Sequence, residues 1–305
     1  MITDAGKRPS LAPRNWGGWL LAGLLWLLGK LPFSAGLWLA RPTGVLIHRA
    51  MGRRRAVARR NIERCFPELS AEQVDRLLRR HFTALARTMF ELAWSWAMSR
   101  RRYLRHVRVE GLEHLLDAEE AGAGVLLITG HMTCLEFGGR AACECAPIAG
   151  VYRPLRNEVL EWYQNRGRLK FAQAMISKRE MRSAVRYLRK GGILWYAPDQ
   201  DFGPAQSLFV PFFGIQTATL EATQKLIALT RCAVVPMFPA FDDNTKSYVV
   251  RVQPALENLP GPDAAADLAR LNAVIEAHVR EVPDQYWWIH RRFKTRPEGE
   301  APFYD

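Results

Sequence analysis

Cysteine is scarce in this 305-residue chain, which contains five. None of them forms the C-x2-C spacing of a zinc-binding pair, and their odd number argues against a disulfide framework. The five positions are Cys65, Cys134, Cys143, Cys145 and Cys232. We therefore expect free thiols in a reducing compartment.

Acidic residues are also in short supply, since 30 Asp and Glu face 43 Lys and Arg, for a net charge of +13. This imbalance favours acidic partners such as nucleic acid, anionic lipid headgroups, phosphorylated substrates or an acidic carrier protein. The ten Trp and fourteen Phe lie near apolar runs rather than among basic residues, which disfavours nucleic acid. A membrane surface fits this composition better.

The chain has no long uninterrupted apolar run. Residues Trp16 to Gly29 are uncharged but fall short of the ~20 that a spanning helix needs, and Lys30 separates them from a second uncharged run, Leu31 to Ala40. Three interpretations stay open: an amphipathic or re-entrant anchor, a secretory signal, or a span that ends at a snorkelling Lys30. A signal peptide is disfavoured because no A-x-A cleavage site follows.

Seven arginines and no acid lie between Arg41 and Arg60, against three basic residues before the apolar run. Positive charge concentrates on the cytoplasmic side of membrane proteins. We therefore expect residues 1–40 to form a leader and membrane anchor, and residues 41–305 to form a domain on the cytoplasmic side.

Residues 41–103 are predicted to be a helical lead-in, because apolar residues recur at helical spacing from Val57 to Met89. From residue 104 onward strands and helices alternate, which predicts an α/β fold with a sheet covered by helices. The predicted strands are 106–109, 124–129, 147–153, 173–176, 192–197, 232–238, 247–253 and 285–291. The predicted helices are 111–121, 134–144, 156–169, 178–190, 217–230 and 263–281, with a long loop before residue 217.

The chain is organised around residues 124–140, where an apolar strand runs into Gly130 and His131 and a helix follows. Positions five apart on a helix point roughly 140° away from each other, so His131 must lie in the turn with only Glu136 on the helix. From there Glu136 could accept the Nδ1 proton of His131 and leave Nε2 as a general base. The alternative is a capping box, in which Thr133 and Glu136 satisfy backbone groups.

Three further stretches are unusually polar. Arg153 ends a predicted strand, and Arg166 and Arg168 follow one helix later; guanidinium groups suit phosphate or carboxylate. Asp199 and Asp201 follow another strand, where they could serve a metal, acid–base chemistry or, somewhat better, a turn. The next loop carries an exposed-looking aromatic patch, residues 210–214.

The third stretch, residues 286–296, joins aromatic residues to a basic cluster. It could be a membrane-interface belt, a dock for an acidic partner, or a strand followed by a solvated tail.

Taken together, these residues resemble the lipid A late acyltransferases, the lauroyl and myristoyl transferases of the lysophospholipid-acyltransferase superfamily. The resemblance covers the chain from its N-terminal apolar segment almost to Asp305. It is carried by Gly130-His131-x4-Glu136; by Tyr152-Arg153-Pro154 with Asn157 and Arg166-Gly167-Arg168; by residues 195–204 with 209–214; and by residues 290–297.

This resemblance implies a mostly parallel sheet flanked by helices, like that of glycerol-3-phosphate acyltransferase, and one N-terminal anchor in the bacterial inner membrane. It implies an acyl-[acyl carrier protein] donor, a Kdo2-lipid A precursor as acceptor, and no metal or other cofactor. His131 and Glu136 would be the catalytic pair, with Arg168 and Asp199 as supporting residues. From their side-chain chemistry, Arg153, Arg166 and Arg168 could alternatively hold phosphates or carboxylates, with Asp199 fixing one of these arginines in place.

On this interpretation the chain moves a fatty acyl group to the 3-hydroxyl of an acyl chain on the precursor. Its partners would be the carrier protein, the lipid A precursor and anionic membrane lipids, with no nucleic acid. A glycerophospholipid or ornithine-lipid acceptor, or a membrane-binding module without catalysis, remains an alternative. The acyl chain length, the acylated position, the oxyanion donor and the oligomeric state are not encoded in any pattern that we can interpret.

Overall fold

In the computed structural model, which describes residues 1–304, nine strands and eleven helices follow one another. The strands are β1 (Val107–Glu110), β2 (Val125–Ile128), β3 (Ile148–Tyr152), β4 (Ala174–Ser177), β5 (Ile193–Tyr196), β6 (Ser207–Phe212), β7 (Ile215–Leu220), β8 (Ala233–Asp242) and β9 (Ser247–Val252). The helices are α1 (Trp16–Leu28), α2 (Phe33–Ala50), α3 (Gly52–Cys65), α4 (Ala71–Ala97), α5 (Arg100–Tyr103), α6 (Leu112–Glu120), α7 (Leu135–Cys145), α8 (Glu158–Arg168), α9 (Met181–Arg189), α10 (Ala222–Thr230) and α11 (Ala264–Glu281).

Seven of these strands form one sheet, in the order β1-β9-β8-β2-β5-β3-β4. All neighbours are parallel except β8 and β9, which are antiparallel. The predicted α/β class with a mixed, mostly parallel sheet is confirmed. The carboxyl ends of β2, β3, β4 and β5 therefore meet at one edge of the sheet.

The sheet is buried on both faces, and β2 shows how the sequence achieves this. Val125 and Leu127 point into one apolar cluster, and Leu126 and Ile128 point into a second. Because side chains alternate along a strand, four consecutive apolar residues are needed where both faces are covered. The first cluster includes residues of α4 and α7, and the second includes residues of α9 and α10.

Small residues let α2 lie close to the long helix α4. A Cβ placed on Gly36 would come within 2.3 Å of the Trp94 ring, and one on Gly44 within 2.7 Å of the Thr83 backbone. The start of α4 is fixed by a capping box between Ser70 and Gln73. The N-terminal helices thus pack on the body of the protein.

The segment predicted as a membrane anchor contains α1 and the first part of α2. Throughout residues 1–304, no helix combines the length and the apolar character that crossing a bilayer requires. On α1 the residues Trp16, Leu20, Leu24 and Leu27 form an exposed stripe.

Most predicted elements between residues 106 and 197 are confirmed, but two later predictions are wrong. The predicted long loop contains β6, and β7 occupies the first residues of the helix predicted at 217–230, which begins instead at Ala222. The cause is a tight hairpin whose turn residues, Phe213 and Gly214, both have positive φ, as a type I′ turn requires. Phenylalanine is an unusual residue there, so the turn has little sequence signal.

The aromatic patch at the turn is also not exposed, since Phe212 and Phe213 are buried against Tyr286 and Trp288. The strand predicted at 285–291 is wrong as well. That segment makes one isolated bridge, between Met132 and Tyr286, and is otherwise irregular.

Candidate active site

His131 and Asp199 are brought together by the register of two neighbouring strands. Ile128 at the end of β2 pairs with Tyr196 at the end of β5, and the Thr129 N–H extends this ladder to the Tyr196 carbonyl. His131 and Asp199 each lie three residues beyond the paired position. The turn that carries His131 lies close to α11, because a Cβ placed on Gly130 would come within 2.9 Å of Ile275 Cγ2.

Asp199 accepts two hydrogen bonds from His131. The His131 backbone N–H donates to Oδ2 at 2.8 Å, and the ring Nδ1–H donates to Oδ1 at 2.5 Å. Asp199 is buried, whereas the His131 side chain is 28% exposed. A carboxylate acceptor at Nδ1 assigns the ring to the tautomer whose Nε2 lone pair is free.

The charge on Asp199 is well supported despite its burial. Burial alone would raise the pKa of this carboxyl, but hydrogen bonds and charge from His131, together with the Arg292 guanidinium, lower it to about 2. Asp199 is therefore ionised at neutral pH. It can stabilise an imidazolium that forms on His131.

Glu136 does not contact His131, so the predicted hydrogen bond between them is wrong. Its carboxylate instead accepts two parallel bonds from Arg168, Nε to Oε1 at 2.9 Å and Nη2 to Oε2 at 2.6 Å. The Trp96 indole N–H adds a third, at 2.7 Å. The reason is placement: Asp199 already occupies the Nδ1 side of His131, and Glu136 on the first turn of α7 faces the end of α8.

The capping-box interpretation of Glu136 is also wrong. Helix α7 begins one residue before Glu136, and its N-cap, Cys134, makes no side-chain capping bond. The Thr133 hydroxyl is buried without a hydrogen-bond partner among residues 1–304. The Thr133 N–H donates to the Gln285 carbonyl at 2.7 Å.

The Glu136–Arg168 pair is electrostatically matched. Burial alone would raise the pKa of Glu136, but the Arg168 charge, its hydrogen bonds and that from Trp96 outweigh burial and lower it. Burial alone would lower the pKa of Arg168, and the Glu136 carboxylate raises it. Both groups therefore stay charged at neutral pH and form a bidentate ion pair through two parallel hydrogen bonds.

A cleft of about 680 Å³ opens beside these groups. His131, Glu136 and Arg168 lie on its wall, while Asp199 is behind His131 and does not line it. One apolar part of the wall consists of residues from α7, β3, β4, β5 and the segment after α8. These are Leu135, Gly139, Cys143, Gly150, Val151, Phe171, Ala172, Met175 and Trp195.

The rim of the cleft is positively charged. Arg153 follows β3, and Lys178 and Arg179 follow β4; within residues 1–304 no carboxylate lies at salt-bridge distance from any of the three. Burial and the neighbouring Arg153 and Arg179 lower the pKa of Lys178, which shows how closely the cations are grouped. Arg166 is not part of this wall, since its guanidinium lies over the Trp162 ring at 5.3 Å.

Asp201 has a structural role next to the site. It accepts hydrogen bonds from the Gly203 N–H and from both the N–H and the hydroxyl of Thr295. The turn interpretation is thus confirmed for this residue.

In the part of the chain that the structure describes, residues 1–304, no three His, Cys, Asp or Glu side chains are grouped as metal ligands.

Three residues around the His131–Asp199 pair, of which His290 also lines the cleft, were not predicted as site residues. Burial and the Asp199 carboxylate raise the pKa of Tyr286 above its ordinary value, so its phenol stays protonated. His290 Nε2 accepts the Asp201 N–H at 3.3 Å, and burial lowers its pKa to about 4. Arg292 is buried and bonds the Ala218 carbonyl of β7. The only signal was the aromatic and basic run at 286–296.

A histidine held by a carboxylate at a sheet edge, beside a partly apolar cleft, is an arrangement suited to general-base chemistry in an enzyme. Comparison with known proteins identifies the class more closely. Residues 4–295 match the family described as "Bacterial lipid A biosynthesis acyltransferase". The chain belongs to this family.

Two relatives illustrate the match. The chain is 37% identical to the "Lipid A biosynthesis palmitoleoyltransferase" of Escherichia coli (strain K12), over 98% of this chain and 97% of that protein. It is also 37% identical to the "Lipid A biosynthesis lauroyltransferase" of the same organism, over 95% of each. A solved structure, the 1-acyl-sn-glycerophosphate (LPA) acyltransferase PlsC from Thermotoga maritima, aligns with a TM-score of 0.37 and 12% identity, over 81% of this chain and 97% of that one. The protein is an acyltransferase of lipid A biosynthesis.

Proposed function

We propose that this protein transfers a fatty acyl chain from acyl-[acyl carrier protein] to the 3-hydroxyl of an acyl chain on a Kdo2-lipid A precursor. The observation that carries the proposal is the His131–Asp199 pair at a cleft whose wall is apolar in part and whose rim is cationic. An apolar wall suits a fatty chain. The cationic rim suits the phosphates and carboxylates of the acceptor headgroup.

In the proposed reaction His131 acts as the general base. Its Nε2 removes the proton from the acceptor hydroxyl, and the oxygen attacks the thioester carbonyl. A carbon–oxygen bond forms, the carbon–sulfur bond of the tetrahedral intermediate breaks, and the imidazolium returns its proton to the departing thiolate. Asp199 stabilises the imidazolium throughout.

Glu136 and Arg168 form a second unit on the cleft wall. Glu136 neutralises the charge of Arg168 and holds its guanidinium in one orientation. Arg168 can therefore present its remaining N–H donors to the substrate in a fixed geometry. We therefore assign both to substrate positioning, and Arg153 to the acceptor's anionic groups. The reaction as written uses no metal or other cofactor.

We further propose that the protein works at the cytoplasmic side of the bacterial inner membrane, attached through residues 1–40. The support is the exposed stripe on α1, together with Trp38 on α2, which is also exposed. Apolar patches of this kind mark interaction surfaces. The exposed arginines Arg41 and Arg49 of α2 and Arg53 of α3 follow in the chain and would face anionic headgroups.

The test is transfer by the purified full chain, supplied with acyl-[acyl carrier protein] and a Kdo2-lipid A precursor, with products followed by mass spectrometry. The wild type should add one acyl mass, and His131→Ala should abolish the addition while its thermal unfolding stays unchanged. Arg166→Gln, an exposed residue outside the cleft, serves as the control and should retain activity. Turnover by His131→Ala would overturn the base assignment, and transfer only to a glycerophospholipid or ornithine lipid would overturn the acceptor.

A further inference from the structure

Three residues of neighbouring strands form a notch in the cleft floor. In the sheet register Gly150 of β3 pairs with Trp195 of β5 on one side and with Met175 of β4 on the other. Residues paired in this way point to the same face of a sheet. A residue without a side chain therefore lies between two long side chains, and we call these three residues the glycine notch.

The two side chains that flank Gly150, those of Trp195 and Met175, differ in how tightly they are packed. A Cβ placed on Gly139 of α7 would lie 2.0 Å from the Trp195 ring, so the indole packs directly on the helix at a position that requires glycine. Across the notch, a Cβ on Gly150 would lie 3.1 Å from Met175 Cε and 3.3 Å from its Sδ. The Met175 thioether thus forms the one adaptable side of the notch.

The glycine notch is remote from the reacting groups but belongs to the same cleft. Gly150 lies two residues before Tyr152, the last residue of β3, whereas His131 lies beyond the end of β2. On the opposite wall Cys143 is two turns further along α7 than Glu136, which is about 10 Å. A chain that enters beside His131 and runs along the sheet face would end at the notch.

We infer that the glycine notch is the end of the acyl-chain site, and that Met175 sets the length of the fatty chain that this enzyme accepts. The inference rests on the proposed function and specifies its donor. Phe171, Ala172 and Cys143 line the same cleft. The guanidinium of Arg140, which lies over the Phe171 ring at 5.5 Å, is paired with Glu144. The terminal methyl of the chain would contact the Met175 thioether.

Two substitutions should shift the preferred acyl-chain length in opposite directions. Met175→Val removes the tip of the side chain while keeping a strand-forming residue, and opens room for about two more carbons. Gly150→Ala adds a methyl group that pushes the Met175 tip into the notch and favours a chain that is shorter by about two carbons. The double variant Gly150→Ala with Met175→Val should return towards the wild-type preference.

The adjacent residue supplies a matched control. Ile176 lies on the same strand and is equally buried, but it points to the opposite face of the sheet and into the other apolar cluster. Ile176→Val should not change the chain-length preference. Thermal unfolding of all the variants reports whether each is folded.

The experiment compares kcat/KM for a series of acyl-[acyl carrier protein] donors graded in chain length, with a lipid A precursor as acceptor. A misfit of one or two methylenes is worth about 10-fold or more, so the ratio of long to short donors should rise about 10-fold in Met175→Val and fall as much in Gly150→Ala. An unchanged ratio in both folded variants would overturn the inference. So would an equal loss for every donor.

Binding separates a failure of this inference from a failure of the proposed function. If the wild type transfers no acyl group to any lipid A precursor, the proposed function is wrong. Calorimetric titration with free fatty acids of graded length then tests the notch without turnover. Tighter binding of longer acids by Met175→Val supports the inference, and identical length profiles for wild type and variant reject it.

Discussion

Asp199 accepts both the backbone N–H and the ring Nδ1–H of His131, at 2.8 and 2.5 Å. One carboxylate thereby fixes the position of the turn and the orientation of the imidazole. A general base needs its ring held in one tautomer and one direction, and a bond to the backbone as well as to the ring provides both. The site is therefore built across two strands rather than within one sequence motif.

Asp199→Asn should keep the shape of this pair and remove its charge. We expect kcat to fall by about 10²- to 10⁴-fold, because an amide can leave the imidazole in the wrong tautomer and does not stabilise the imidazolium. Transfer assays under saturating donor measure the effect. Asp201→Asn is a control with the same chemical change at the next carboxylate, and an equal loss in that variant would argue against a special role for Asp199.

The stability of the protein should depend on Asp199 at low pH. Its pKa falls from 3.8 to about 2 on folding, so the contribution is fully present above the unfolded value and is lost as the pH falls towards 2. The shift corresponds to about 2 kcal/mol. The difference in unfolding free energy between wild type and Asp199→Asn, from urea titrations, should be constant above about pH 5 and shrink below pH 4. A difference independent of pH would contradict the ionised pair.

Glu136→Gln should destabilise the protein because it leaves Arg168 without its counter-ion. Both side chains are largely buried, 15% and 20% exposed, and removal of one partner should cost about 2–4 kcal/mol. A double-mutant cycle with Arg168→Met should recover a coupling of about 2 kcal/mol. Glu72→Gln breaks an exposed pair with Arg76 and should cost less than about 0.5 kcal/mol.

The same variants separate positioning from base catalysis. Because Glu136 does not contact His131, Glu136→Gln should lower kcat/KM less than Asp199→Asn does. Steady-state kinetics on folded protein give the comparison. A loss in Glu136→Gln equal to that in His131→Ala would mean that Glu136 takes part in the proton transfer directly.

Arg153→Gln should weaken binding of the phosphorylated acceptor. A charged hydrogen bond contributes about 1.5–3 kcal/mol, so we expect the acceptor KM to rise about 10-fold or more with little change in kcat. The dependence of KM on salt should also become shallower. Arg186→Gln, on the exposed side of α9, changes the same net charge away from the cleft and should leave KM unaltered.

Negative charges introduced into the exposed apolar stripe of α1 should weaken binding of the protein to membranes. Leu20 is 78% exposed and Leu24 lies one turn further on the same stripe. Burying a leucine contributes about 1.5–3 kcal/mol, so Leu20→Glu with Leu24→Glu should reduce partitioning into anionic vesicles at least about 10-fold. Leu229→Glu, at an exposed leucine of α10, should have no effect in the same sedimentation assay. Equal binding by all three proteins would reject α1 as the attachment site.

The sequence by itself determined the fold class and the position of His131. Four apolar residues in a row, followed by Thr129, Gly130 and His131, indicate a buried strand that opens into a turn, because both periodicity and turn chemistry are local. The placement of Arg153 and Asp199 at strand ends followed from the same local signals. Two hairpin strands were missed because a turn that contains Phe213 carries no recognisable signal.

Only the tertiary structure decided which carboxylate serves the histidine. Glu136 is five residues from His131 in sequence and Asp199 is 68 residues away. The pairing of β2 with β5 nevertheless brings Asp199 to the Nδ1 atom, while α7 and α8, which both pack on α4, place Glu136 beside Arg168. Strand register and helix packing are properties of the assembled sheet, since each depends on neighbours that are distant in the chain. The notch at Gly150 likewise exists only when three strands are paired.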